Sequence, residues 1–175
     1  MMKQLFSMIL FLTGGVALFS QEANNLPSTD KSIEAEYNRR ITLDKINGVY
    51  IPKNLEDVFV TLDKMVDAES KFKVRTLAED KVDSVLSPRL GLWMKLNWSF
   101  YEGSRLSHYL RSAGVTYPDD MASFLLLAWY RHLNQQPVEI KELATFYKEK
   151  RKQEWEAEQK KGKVIYEEKR PRTKN

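Results

Sequence analysis

The chain has 175 residues, 30% of them charged, with a net charge of +4 and no cysteine. That length suits one domain with tails. Without a thiol the chain has no disulfide framework, no cysteine nucleophile and no N-terminal Cys to acylate. His108 and His132 are its only imidazoles, which excludes a His-rich metal site.

Met1-Met2-Lys3 gives a basic start, Leu5–Phe19 is a 15-residue apolar run broken only by Ser7, Thr13, Gly14 and Gly15, and Ser20-Gln21 opens a polar stretch. This layout predicts a secretory signal peptide over residues 1–20. The run is shorter than the roughly 20 residues that span a bilayer, and two adjacent glycines weaken its centre. The mature chain is therefore expected to be exported, periplasmic or secreted, with no transmembrane segment once the signal is removed. Residues 148–175 hold 11 Lys/Arg and 6 Glu, while the rest of the chain holds 17 Lys/Arg and 18 Asp/Glu. A near-neutral body thus ends in a basic tail. Outside the cell such a tail meets anionic lipid, an envelope polymer or an acidic protein, and no nucleic acid is expected.

Residues 21–47 are polar and read as a spacer with a weak helix around Ile33 to Ile41. Gly48-Val49-Tyr50-Ile51-Pro52 reads as a short extended segment, because the residue before proline disfavours helix. The helical domain spans 48–147. Leu55, Val58, Phe59, Leu62, Met65 and Val66 form an unbroken helical stripe over 54–67, with Asn54 as N-cap. Weaker helices follow at 69–77 and 79–86, and Ser87-Pro88 starts another that carries Leu90, Trp93 and Met94. Ser104 caps a helix to about Ala113, with Gly114 as its C′ residue. Pro118-Asp119-Asp120 opens the most apolar helix, running to about Leu133, which is expected at the centre of the domain. From 138 to about 161, Ile140, Leu143, Ala144 and Tyr147 can dock. Beyond them charges alternate at i,i+4 spacing in a solvated helix that Gly162 ends. Val164-Ile165-Tyr166 is an apolar island before a tail that reads as disordered. Residues 148–175, a charged helix and basic tail, are expected to add little to stability. The fold class is all-α: a compact bundle of five or six short helices with a charged C-terminal helix.

No nucleophile elbow, phosphate-binding loop, dinucleotide fingerprint or H-E-x-x-H is present, and nothing requires a cofactor or metal. Asp119-Asp120 has the spacing of paired carboxylates, although two acids in a first helical turn are accounted for by the helix dipole. Ser104 is an N-cap before it is a nucleophile, since no base is placed beside it. Arg105, His108 and Tyr109 share one helix face, and Trp98 and Tyr101 lie just before the turn into that helix. If the two helices form a hairpin, Trp98, Tyr101, Arg105, His108 and Tyr109 line one patch of the kind that anchors binding surfaces, with Asp119 and Asp120 added to it.

The stretches Tyr50-Ile51-Pro52-Lys53-Asn54-Leu55, Leu90-Gly91-Leu92-Trp93-Met94 with Asn97-Trp98, Gly103-Ser104-Arg105-Leu106-Ser107 with Tyr109, and Gly114-Val115 with Tyr117-Pro118-Asp119-Asp120-Met121 occur in that order. Across about 50–136 the chain resembles a small bacterial family known only as domain of unknown function 6794. Members often have His where this chain has Tyr117, so any role of that His is lost here. The resemblance implies a fold unit and supplies no mechanism. The leading expectation is an exported, non-enzymatic binding or interaction module of the bacterial envelope, taking a protein or an envelope polymer. The alternatives are a hydrolase-like enzyme using Asp119 or Asp120 with His108, and a structural envelope protein adhering through its basic tail.

Overall fold

The computed structural model describes residues 30–160. The signal peptide expected at 1–20 and the tail expected beyond the charged helix lie outside the described residues. The described residues are mostly helical, with one two-stranded ribbon among them.

The centre is helix α7, Pro118–Leu133. Pro118 occupies the first turn, where its missing N–H costs nothing. Met121, Ala122, Phe124, Leu125, Leu126, Ala128 and Trp129 are buried with 1% exposure or less. Such a helix is apolar on nearly every side and must be packed all round. Around it lie α2 (Leu55–Met65), α3 (Ala68–Arg75), α4 (Val82–Leu86), α5 (Leu92–Asn97), α6 (Arg105–Ser112) and α8 (Ile140–Lys160), all of which contact it. The stripe predicted over 54–67 buries Leu55, Val58 and Leu62, and the Asn54 side chain accepts from the Asp57 N–H as its cap.

Three buried or half-buried polar anchors fix how α7 meets its neighbours. Trp129 Nε1 donates to Asp63 Oδ1 of α2 at 3.0 Å. Tyr130 donates its hydroxyl to the Leu77 carbonyl at 2.9 Å. Ser123 donates to Asp83 Oδ1 at 2.6 Å, and Ser87 donates to the same oxygen at 2.6 Å. His132 stacks on Phe59 with ring centroids 4.3 Å apart.

Two elements differ from the sequence reading. The extended segment is a hairpin: β1 (Lys45–Ile46) pairs antiparallel with β2 (Val49–Tyr50), Ile46 opposite Val49. Asn47 and Gly48 have φ of 50° and 80°, the left-handed pair a two-residue turn needs. Ser87-Pro88 does not start a fresh helix. It forms a π-turn, Ser87–Gly91, joining α4 to α5, in which the Leu92 N–H reaches back to the Ser87 carbonyl. The wider turn lets the run continue through a proline. Gly91 is needed there, since a Cβ would stand 3.3 Å from Leu126 Cδ1 and 3.1 Å from Ser87 Oγ.

Trp129 sits at the middle of this arrangement with no exposed surface. Trp129→Ala is expected to cost about 3–5 kcal/mol, the range for removing a buried large aromatic. Chemical denaturation of the two proteins measures it, and a loss below about 1 kcal/mol would contradict the packing described.

Candidate functional site

The seven residues singled out in the sequence separate into three groups. Trp98 has no exposed surface and meets Trp93 edge-on, with centroids 5.5 Å apart. It is a wall of the core, and its Nε1 has no hydrogen-bond partner. Tyr109 is half-buried against the same core. Arg105 turns away from Tyr101: its Nε donates to the Ile51 carbonyl at 2.7 Å and its guanidinium lies over the Tyr50 ring at 5.1 Å. It thereby fastens the hairpin to the start of α6. Tyr50 in turn donates its hydroxyl to Asp57 at 2.7 Å, and that bond holds the phenol above its ordinary range.

His108 and Tyr101 face an element from the stretch read as a spacer. Residues Asp30–Arg40 form helix α1, which buries no residue of its own. It lies on the 99–103 turn and α6 through three contacts. The Tyr37 hydroxyl bonds His108 Nδ1 at 3.1 Å. Arg40 Nε donates to the Gly103 carbonyl at 3.0 Å. The Cδ2–Cε2 edge of the Tyr37 ring abuts Gly103, so close that a Cβ there would fall 2.5 Å from its Cδ2. Gly103 also has φ of 96°, a region that favours glycine. Between α1 and the turn runs an open groove of about 760 Å³. Ile33, Tyr37 and Tyr101 supply its apolar walls, and Asp30, Glu34, Glu36 and Glu102 crowd its rim beside Arg40. Glu36 takes both bonds of the Arg39 fork, at 2.7 and 2.8 Å.

The adjacent carboxylates Asp119 and Asp120 point to different partners. Asp119 is exposed and accepts from Lys95 Nζ at 2.5 Å. Its bond is the chief cause that holds the Lys95 ammonium above its ordinary range, and Tyr101 lies near enough to add to the shift. Tyr101, which lines the groove, is thus near Lys95, and Lys95 binds Asp119. Asp120 is 4% exposed and accepts two bonds from Arg151 of α8, at 2.9 and 2.7 Å. The same guanidinium lies 4.3 Å over the Tyr117 ring in a cation–π contact. Leu143, Ala144 and Tyr147 dock α8 as expected, with Tyr147 against Phe124 at 6.3 Å. Burial above all pushes the Tyr147 hydroxyl well up.

One contact bears on the expectation that residues 148–175 add little to stability: Arg151 reaches the central helix. This residue lies within that stretch and neutralises a nearly buried carboxylate of the central helix. Tyr37, Arg40, Lys95 and Arg151 were not found in the sequence because their partners lie between 24 and 71 residues away, beyond any local spacing rule.

Among the described residues no three His, Asp or Glu side chains cluster as metal ligands, and no helix is long and apolar enough to cross a membrane. The molecule is thus a small helical domain with an aromatic, acid-rimmed groove at one side. Residues 51–133 match the model of the family described as domain of unknown function (DUF6794), so the resemblance is to that family. No curated protein and no solved structure matches the chain.

Arg151→Ala leaves Asp120 charged and without its fork inside the domain. It is expected to destabilise the fold by about 2–4 kcal/mol, the cost of orphaning a largely buried charge. Urea titration checks this, and an unchanged midpoint would show that α8 is docked by Leu143, Ala144 and Tyr147 alone.

Proposed function

We propose that the mature chain is an exported, non-enzymatic binding module of the bacterial envelope, and that the groove between α1 and the 99–103 turn is its binding surface. The observation that carries this reading is the groove's chemistry: aromatic and aliphatic walls with Asp30, Glu34 and Glu102 lining it, while Glu36 is held by the Arg39 fork beside Arg40. A cleft of this size with one sign of charge at its mouth suits a partner that is both apolar and cationic. A basic segment of a protein meets that description better than an anionic polymer does. Export rests on the pattern of residues 1–20.

The hydrolase-like alternative needs a carboxylate free to carry a proton beside a base. Asp120 is held by Arg151 and Asp119 by Lys95, while His108 sits on Tyr37. These pairings favour the binding reading. The adhesive alternative rests on residues 148–175 and is separated by experiment below.

A decapeptide of alternating Lys and Leu, titrated calorimetrically into the full mature chain, is expected to bind. Tyr101→Ala and Glu102→Lys should each weaken it about tenfold, equivalent to 1.4 kcal/mol. Equal binding by all three proteins counts against the groove. Binding to anionic vesicles that ignores both substitutions favours the adhesive reading instead.

Protein taken from its native envelope is expected to begin near Gln21. Intact mass decides this, and a membrane fraction that retains Met1 would refute export by a cleaved signal.

A further inference from the structure

We infer that a second cavity, between the hairpin, α2 and α5, binds a medium-chain carboxylate, an aliphatic chain with an anionic head. The cavity shares no lining residue with the α1 groove and is independent of the function assigned to that groove.

The cavity holds about 500 Å³, within the range of small-molecule sites. Val49 and Tyr50 of β2 form one side, and Trp93 and Trp98 another. The third is a face of α2 made by Asp57, Val60, Thr61, Lys64 and Met65, which recur at helical spacing. Its apolar members are not packed away: Val60 is 50% exposed and Met65 48%. Met65 belongs by spacing to the stripe that buries Leu55, Val58 and Leu62, yet it stays at the surface beside the cavity. Apolar side chains left exposed around a concavity are the mark of a surface with an occupant.

The polar groups of the lining select that occupant. Asp57 is its one acid, and Asp57 Oδ2 already accepts from the Tyr50 hydroxyl at 2.7 Å and from the Lys53 N–H at 2.9 Å. Thr61 spends its hydroxyl on the Asp57 carbonyl at 2.7 Å. Two donors remain. Lys64 has no ion pair or hydrogen bond among the described residues. Trp98 is fully buried, and its Nε1 has no acceptor. The edge-on Trp93 ring offers that N–H at most the weak attraction of a π face. A buried donor without a partner costs free energy, and an oxygen that reaches it recovers the cost. Both free groups donate, so the ligand has to accept. One carboxylate oxygen takes the indole N–H, and the negative charge faces Lys64. Arg105, whose guanidinium lies over the Tyr50 ring, adds positive charge on that side. The aliphatic chain rests on Val60, Met65 and Trp93. The Trp98 N–H is sealed from solvent, so the wall yields on binding, and half-buried Trp93 is the residue that moves. The two concavities thus take opposite charges, a cationic segment at α1 and an aliphatic anion here.

Octanoate titrated into the isotopically labelled full mature chain tests this by nuclear magnetic resonance. The Trp98 indole N–H signal is expected to move downfield and saturate. The Trp129 indole, which already donates to Asp63, is expected to stay in place. Octylammonium, with the same chain and the opposite charge, should bind at least about tenfold more weakly. Lys64→Gln, at an exposed position, should weaken octanoate about tenfold and leave octanol unaffected. Tyr101→Ala, in the α1 groove, should not change octanoate affinity, so failure of one site is read separately from failure of the other. A Trp98 signal that stays still at millimolar octanoate overturns the proposal. Equal binding of octanoate and octylammonium also overturns it, by reducing the cavity to an unselective apolar cleft. So does an unchanged octanoate affinity in Lys64→Gln, or a loss of octanoate binding in Tyr101→Ala, which would move the site to the other groove.

Discussion

An apolar helix that has to be packed on every side governs this molecule. With no cysteine to staple it, the chain rests on burying α7, and each surrounding element is placed by what it gives to that helix. The hydrophobic term sets the number of elements, because a helix buried all round needs neighbours all round. The polar anchors then choose the angles. Asp63 waits for the Trp129 indole, Leu77 for the Tyr130 hydroxyl, and Asp83 collects Ser87 and Ser123. Trp129, Tyr130 and Ser123 are buried, and their polar atoms would cost free energy if left without a partner.

The family match spans 51–133, which takes in α2 to α7 and leaves α1 and α8 outside. Both outer helices attach to the same region. α1 rests on the turn before α6, and α8 grips the first turn of α7. The groove thus has one wall from the matched unit, Tyr101 and Glu102, and one from the added helix. The matched unit does not complete this surface by itself.

Much of the fold was legible in the residues. The stripe of α2, the cap and glycine stop of α6, and the proline-led start of α7 all stand where periodicity and capping rules put them. Asn47-Gly48 also carried its hairpin signal, which the reading of 48–52 as merely extended passed over. The π-turn at Ser87–Gly91 could not be read locally, because its reason is Leu126 pressing on Gly91 from a distant helix. The candidate site was less legible. Helical spacing put Arg105, His108 and Tyr109 on one face, yet Arg105 and His108 bind the hairpin and α1 respectively, elements the spacing rule does not see. Aromatic residues before a turn gave no hint of which would be buried, and Trp98 went to the core while Tyr101 stayed outside.

Tyr37 lies on Gly103 because that residue has no side chain, and the seat of α1 depends on that bare stretch of backbone. The shape of the groove is therefore specified in part by missing atoms. A survey of this molecule for reactive or charged groups passes over the position that sets the distance between its two walls. A methyl group at this point would fall 2.5 Å from Tyr37 Cδ2, so a chain with every acid of the rim in place would still have to move that ring and the helix that carries it.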